Sequence, residues 1–266
     1  MSYNWTTCSL DIKEFVIQLL TKTKEIIKDN FIGFYLHGSL AMGGFNPHSS
    51  DIDIIIVTDE SLEIGTKRRL AKLFLTHSKN QYPLEVSILN RGQLNEFEHP
   101  CPFDLHFSEF WRERYEEELS LQTYEFLTGE VRKDPDLAAH ITIINKRGIC
   151  IEGKPIVEVF PLIPKSYFIS SIVGDFNDCL ENILENPVYC TLNLIRVYWY
   201  LREKVISSKQ EAGNWGLTSL PTEMSHTLHK VIYNYSNKMD CYNFEKGEFL
   251  FIKNFFANNV GELLTN

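Results

Sequence analysis

Residues 35–57 read Tyr-Leu-His-Gly-Ser-Leu-Ala-Met-Gly-Gly-Phe-Asn-Pro-His-Ser-Ser-Asp-Ile-Asp-Ile-Ile-Ile-Val. Two apolar runs flank a glycine- and serine-rich turn, and the second opens on paired carboxylates. The first run, over 31–36, is short, aromatic and bounded by turn chemistry, which predicts a strand. Gly38 lets the backbone turn sharply. Ser39 then offers a hydroxyl and a backbone N–H where a phosphate can sit. A second strand is predicted over 52–57, with Asp51 and Asp53 at its start. Strand residues two apart share a face, so these carboxylates repel each other unless a cation lies between them. Oxygen-only ligands beside a phosphate site point to Mg2+.

A third carboxylate completes the set. Tyr82-Pro-Leu-Glu-Val-Ser-Ile-Leu89 reads as another strand in which Glu85 is the one charge. Val86, Ile88 and the Asp53 neighbours Ile52 and Ile54 are all apolar, so central places in one sheet are expected. A charge in a buried strand needs a partner, and beside Asp51 and Asp53 it would find a metal or a substrate proton. Taken singly, each feature has a bland reading: Gly-Ser as an ordinary turn, Asp-Ile-Asp as a solvated strand edge. Their order and spacing together carry the case.

Gly38-Ser39, then Asp51-Ile-Asp53, then Glu85 on a later strand resembles the DNA polymerase β-like nucleotidyltransferase superfamily. The fuller form Leu-His-Gly-Ser…Gly-Gly…Pro-His-Ser-Ser-Asp-Ile-Asp is similar to the aminoglycoside adenylyltransferases that modify streptomycin and spectinomycin. The resemblance implies AMP transfer from ATP to a hydroxyl of a cationic aminoglycoside or aminocyclitol. Asp51 and Asp53 would hold one or two Mg2+, and Gly38, Ser39 and Ser50 would meet the nucleotide. Glu85 would serve as base or as a further metal ligand.

The 266 residues suffice for one large or two small domains. A net charge of -9 argues against non-specific nucleic-acid binding. Cys8, Cys101, Cys150, Cys179, Cys190 and Cys241 lack CxxC spacing, which fits reduced thiols and no zinc site. No secretory signal or membrane-length apolar run is visible, so a soluble cytoplasmic protein, acting as a monomer, is expected. Amphipathic helices are predicted over 9–29 and 61–78, a charged helix over 108–119, a helix over 136–145 and an edge strand over 149–151. Gly153, Pro155, Pro161 and Pro164 mark a boundary near residue 156. Residues 1–156 form an expected α/β (α+β) nucleotidyltransferase domain with a mixed twisted sheet. Residues 157–266 form an expected all-α bundle, with helices over 166–184, 187–205, 211–217, 219–235 and 244–264.

Within that bundle, Leu192-Asn-Leu-Ile-Arg-Val-Tyr198 resembles the family helix whose Arg meets the nucleotide phosphates, here Arg196. Ser208-Lys-Gln-Glu-Ala-Gly-Asn-Trp215 resembles the family's Lys-to-Trp motif, giving Lys209, and Tyr235 follows at the family spacing as an ATP contact. Cations facing the carboxylates across a cleft would offset the charge that Mg2+ leaves on the triphosphate. For the acceptor, the resemblance implies an aromatic wall at Phe110 and Trp111. These differ from the Trp of streptomycin-modifying members and favour spectinomycin. At the positions of the family's acidic substrate contacts stand Asn182 and Asn186, with Glu181 and Glu185 one residue away. Another small-molecule or protein acceptor, or a non-catalytic nucleotide-binding regulator, is the alternative.

Overall fold

The computed structural model describes residues 3–78, 81–121, 123, 127, 132–237 and 244–265. Cys241 lies outside these residues. Helix α1 (Leu10–Ile27) buries Ile12, Phe15, Val16, Leu19, Leu20 and Ile27, one stripe at helical spacing. Strand β1 (Phe31–Leu36) follows, then the short helix α2 (Gly38–Met42), strand β2 (Ile52–Thr58), helix α3 (Ile64–Ser78) and strand β3 (Leu84–Asn90). Asn90 closes β3 and opens α4 (Arg91–Asn95) through a reciprocal capping box with Gln93. Short strands β4 (Cys101–Pro102) and β5 (Leu105–Phe107) precede helix α5 (Arg112–Leu121). Strand β6 (Lys133–Asp134), helix α6 (Leu137–Arg147) and strand β7 (Ile149–Gly153) complete the region. The β4–β6 pair forms a small second sheet that sequence reasoning did not anticipate.

The main sheet has strand order β5-β3-β2-β1-β7. It is mixed: β2 and β3 run parallel, and the other neighbours are antiparallel. The strand period of two divides its side chains between two cores. Phe34, Leu36, Ile54, Ile56, Val86 and Ile88 pack with α1 and α3 on one face. Tyr35, Ile55, Val57 and Leu89 pack with Leu137, Ile141 and Ile144 of α6 on the other. This partition fixes the site. His37, Asp53 and Glu85 are in phase with the second set, so they face α6 at the end of the sheet where the β1–α2 turn lies.

A short helix α7 (Ile156–Val159) and Phe160 pack on this second core, with Phe160 edge-on to Tyr35. Beyond Pro164 the chain is helical: α8 (Lys165–Asn182), α9 (Pro187–Glu203), α10 (Lys209–Ser219), α11 (Ser225–Asn237) and α12 (Lys246–Thr265). Their shared core gathers Phe176, Leu192, Ile195, Tyr198, Leu228 and Phe256. Contacts at several points tie bundle to sheet domain. Arg147 of α6 pairs with Glu211 of α10 at 3.0 Å and donates to the Met42 carbonyl at 3.1 Å. Asn46 donates to the Tyr235 and Ser236 carbonyls at 3.0 and 3.1 Å. Helices α6 and α8 pack side by side.

Candidate active site

The β1–α2 turn is built against Asp53. Gly38 has φ +58, and a Cβ placed on it would lie 1.7 Å from Asp53 Oδ2. Only a residue without a side chain lets the backbone approach this closely. The His37 N–H donates to the Asp53 carbonyl at 3.1 Å, and the Ser39 N–H donates to Asp53 Oδ2 at 3.3 Å. Glu85 stands directly beside Asp53 in the parallel β2–β3 register. Asp51, two residues earlier, lies on the same cavity. Across it, His140 Nε2 of α6 approaches Glu85 Oε1 at 3.8 Å, and its ring lies 4.8 Å from that of His37.

These carboxylates crowd one another. Burial first, then Glu85 and Asp51, push the Asp53 carboxyl up to about 7. Burial and Glu85 also raise Asp51, with Lys209 opposing. Burial works against charge on His140, but Glu85, Asp134, Asp136 and Asp53 outweigh it and raise its pKa. His37, with burial and His140 both against it, stays well below the ordinary histidine range.

The opposite wall is cationic and comes from the bundle. Ser208 and Glu211 form a capping box that starts α10 and sets Lys209 at its first position. A cation at a helix N-terminus opposes the helix dipole. Burial and Arg196 lower the Lys209 pKa further, while Asp53, Asp175 and Asp51 support its charge. Its Nζ also lies 4.1 Å from the centre of the Tyr189 ring. This local disadvantage is the kind that a site tolerates for function. Arg196 is anchored rather than solvated: its Nε donates to the Ser207 carbonyl at 3.0 Å and Nη1 to Asn193 Oδ1 at 2.9 Å. Tyr235 donates to the Gly44 carbonyl at 3.5 Å, and Ser50 Oγ accepts from the Asn46 N–H at 3.0 Å.

Between the walls lies a cavity of about 920 Å3, at the upper end of ordinary ligand pockets. Several buried polar atoms along it have no partner: Ser39 Oγ, Ser171 Oγ, Asn193 Nδ2, Ser207 Oγ and Asn234 Oδ1. Buried polar groups are normally satisfied, so this concentration marks a surface made to meet ligand.

Among the described residues, no three His, Cys, Asp or Glu side chains are gathered closely enough to cage a metal by themselves. The donor set nevertheless fits a hard divalent cation. It offers carboxylate oxygens only, with Asp53 short of counter-charge, and substrate oxygens and water would complete the shell.

Gly38, Ser39, Ser50, Asp51, Asp53, Glu85, Asn186, Arg196, Lys209 and Tyr235 all lie on the cavity. Phe110, Trp111 and Asn182 do not. The Glu109–Trp111 turn leads into α5, which packs on α3, on the sheet face opposite the carboxylates. Trp111 therefore joins the α1–α3 core, and Phe110 projects outward, 84% exposed. Asn182 ends α8 and donates back to the Asp178 carbonyl at 2.9 Å. Glu185 reaches the cavity; Glu181 does not. Sequence reasoning missed Asp136 and His140 of α6, and Asp175 of α8. The available signal was a polar pair four residues apart, Asp136 and His140, at the start of a helix whose buried face is aliphatic.

A nucleotidyltransferase domain model matches residues 20–119, and a model of the aminoglycoside adenylyltransferase C-terminal domain matches residues 158–251. A spectinomycin 9-adenylyltransferase of Staphylococcus aureus is 25% identical over 233 residues, covering 84% of this chain and 85% of its own length. One from Campylobacter jejuni is 25% identical over 274 residues, covering 96% and 99%. The crystal structure of a spectinomycin adenyltransferase from Enterococcus faecalis with ATP and spectinomycin superposes with a TM-score of 0.76 at 21% identity. It covers 94% of this chain and 99% of that one. At that identity the likeness concerns the fold: a mixed sheet domain followed by a helical region.

Proposed function

We propose, for a chain that belongs to the aminoglycoside adenylyltransferase family of nucleotidyltransferases, that it transfers AMP from ATP to a hydroxyl of spectinomycin and releases pyrophosphate. The observation that carries this reading is the opposition of walls in one cavity. Asp51, Asp53 and Glu85 face Lys209 and Arg196 across it. A nucleoside triphosphate needs both: cations for its phosphates and, through a metal, carboxylates at the reacting phosphorus.

Asp51 and Asp53 would hold Mg2+, which when bound would neutralise charge on the triphosphate and polarise its α-phosphate. Ser39, with its unpartnered hydroxyl, and the turn at Gly38 would hold phosphate oxygens, with Lys209 and Arg196 meeting the others. Ser50 and Tyr235 would border the nucleotide. The acceptor hydroxyl oxygen bonds to the α-phosphorus as the bond to the bridging β-phosphate oxygen breaks. Pyrophosphate leaves with that electron pair, and Glu85 takes the hydroxyl proton. His140, close to Glu85, would orient that carboxylate.

Asn186 would border the acceptor. The missing aromatic wall at Phe110 and Trp111 supports spectinomycin over streptomycin. No described helix is long and apolar enough to cross a membrane, and the reaction draws on ATP, so we assign it to the cytoplasm, with a monomer as the acting form.

A pyrophosphate-release assay with Mg·ATP and spectinomycin, streptomycin or a lincosamide tests this. Release is expected with spectinomycin, and Asp53→Asn or Glu85→Gln should abolish it while leaving the thermal transition cooperative. Release with none of the three would refute the reading.

A further inference from the structure

We infer that Asp136 and Asp175, with the Ser171 hydroxyl between α6 and α8, form a subsite for an ammonium group of the acceptor. The inference rests on the proposed transfer to a cationic aminocyclitol and adds where that cation sits.

Asp136 is the N-cap residue of α6, yet its side chain accepts no capping hydrogen bond; it turns to the cavity instead. Asp175 comes from the middle of α8, which packs against α6. Both carboxylates line the cavity with Glu85. Each lies within the other's field. Burial, with Asp134, Asp175 and Glu85, raises the Asp136 carboxyl to about 6, although His140 opposes them. Two carboxylates thus share this wall with Glu85, with His140 and Lys209 the cations in their field.

A second observation is independent of charge. Ser171 lies one helical turn before Asp175 and on the same face. It is only 3% exposed, it lines the cavity, and its Oγ has no partner. A buried hydroxyl with free lone pairs beside two carboxylates is a receptor for an N–H donor.

The identity of the guest follows from exclusion by charge. Phosphates are repelled here and attracted to Lys209 and Arg196. Mg2+ is assigned to Asp51 and Asp53, so the positive charge at Asp136 and Asp175 is assigned to the acceptor. The loop ahead of α9 offers the Asn186 amide and, at the exposed rim, Glu185. The Asn186 amide carries no charge, whereas Asp136 and Asp175 put two carboxylates on the cavity wall that also presents the buried Ser171 hydroxyl.

The test compares spectinomycin with its N-acetylated, uncharged derivative. Both are titrated into wild type, Asp136→Asn, Asp175→Asn and Asp175→Glu with Mg2+ and a non-hydrolysable ATP analogue, and AMP transfer is measured in parallel. Each Asn variant is expected to weaken spectinomycin by about tenfold or more, because a desolvated charge pair loses one member. The loss should fall on the acceptor KM more than on kcat, with the ATP KM of Asp136→Asn, which is remote from Lys209 in the charge balance, within about twofold of wild type. Preference for the charged compound should collapse in the Asn variants and return in part with Asp175→Glu. Unchanged spectinomycin affinity in both Asn variants, retained discrimination, or an equal loss of ATP affinity in Asp136→Asn would overturn the subsite. Spectinomycin binding that depends on Asp175 but gives no AMP transfer in wild type would refute the proposed reaction and leave the subsite standing. No binding to wild type would refute both.

Discussion

Replacing Gly38 by Ala tests the geometry of the carboxylate site at one atom. Two effects are separable. The left-handed backbone, φ +58, costs an L-residue about 1–2 kcal/mol of stability. The new Cβ would also sit 1.7 Å from Asp53 Oδ2. To reach a contact of 3.0 Å, the lower limit for real Cβ atoms, the carboxylate oxygen must retreat by roughly 1.3 Å, and misplacement of about 1 Å can cost about 100-fold in rate. Gly43 supplies the control. It is also left-handed, φ +86, but a Cβ there meets only Asn4 Cβ, at 3.9 Å. Thermal unfolding should report a loss for both, larger for Gly38→Ala, whose Cβ also meets Asp53 Cγ at 2.4 Å and Cβ at 2.9 Å. Pyrophosphate release with Mg·ATP and spectinomycin should fall by about 100-fold for Gly38→Ala and by less than about threefold for Gly43→Ala. Turnover lost equally in both, or kept in both, would refute the role given to the turn.

Metal-free protein should lose stability as pH rises from about 4 to about 7. Asp53 binds its proton more tightly folded than unfolded, so its contribution is fully present below the carboxyl's ordinary value of 3.8 and is lost as pH rises through about 7. Melting curves in chelator should show this slope, and Asp53→Asn should flatten it. Arg147→Ala removes the ion pair to Glu211 and the bond to the Met42 carbonyl; a loss of about 1 kcal/mol is expected from denaturant titration, with a raised KM for ATP. Phe110→Ser should leave the acceptor KM within about twofold of wild type, because the ring is 84% exposed and outside the cavity.

The sheet domain was legible because its signals are local. The short apolar runs through 52–57 and 84–89 marked both strands, and the parallel register of β2 and β3 sets Glu85 beside Asp53. In the bundle Pro187 marks where α9 begins, but the Ser208–Glu211 capping box starts α10 at Lys209 rather than at the expected 211, and α11 begins at Ser225 rather than at 219. What the sequence did not disclose depends on which elements meet. Phe110 and Trp111 lie close in the chain to Glu85, but β5 and α5 carry them to the opposite face of the sheet. His140 and Asp136 enter the site only because α6 crosses the carboxylate face. Asp175 enters because α8 lies against α6. No spacing rule links residues 85, 140 and 175, and helix packing alone brings them to one cavity.

The most direct test is the mass spectrum of spectinomycin after incubation with Mg·ATP and either wild type or Glu85→Gln. One added adenylyl group with wild type, and unmodified antibiotic with the variant, is the expected result. Unmodified antibiotic with both, or an equal yield of adduct from both, would contradict transfer by a carboxylate-centred site.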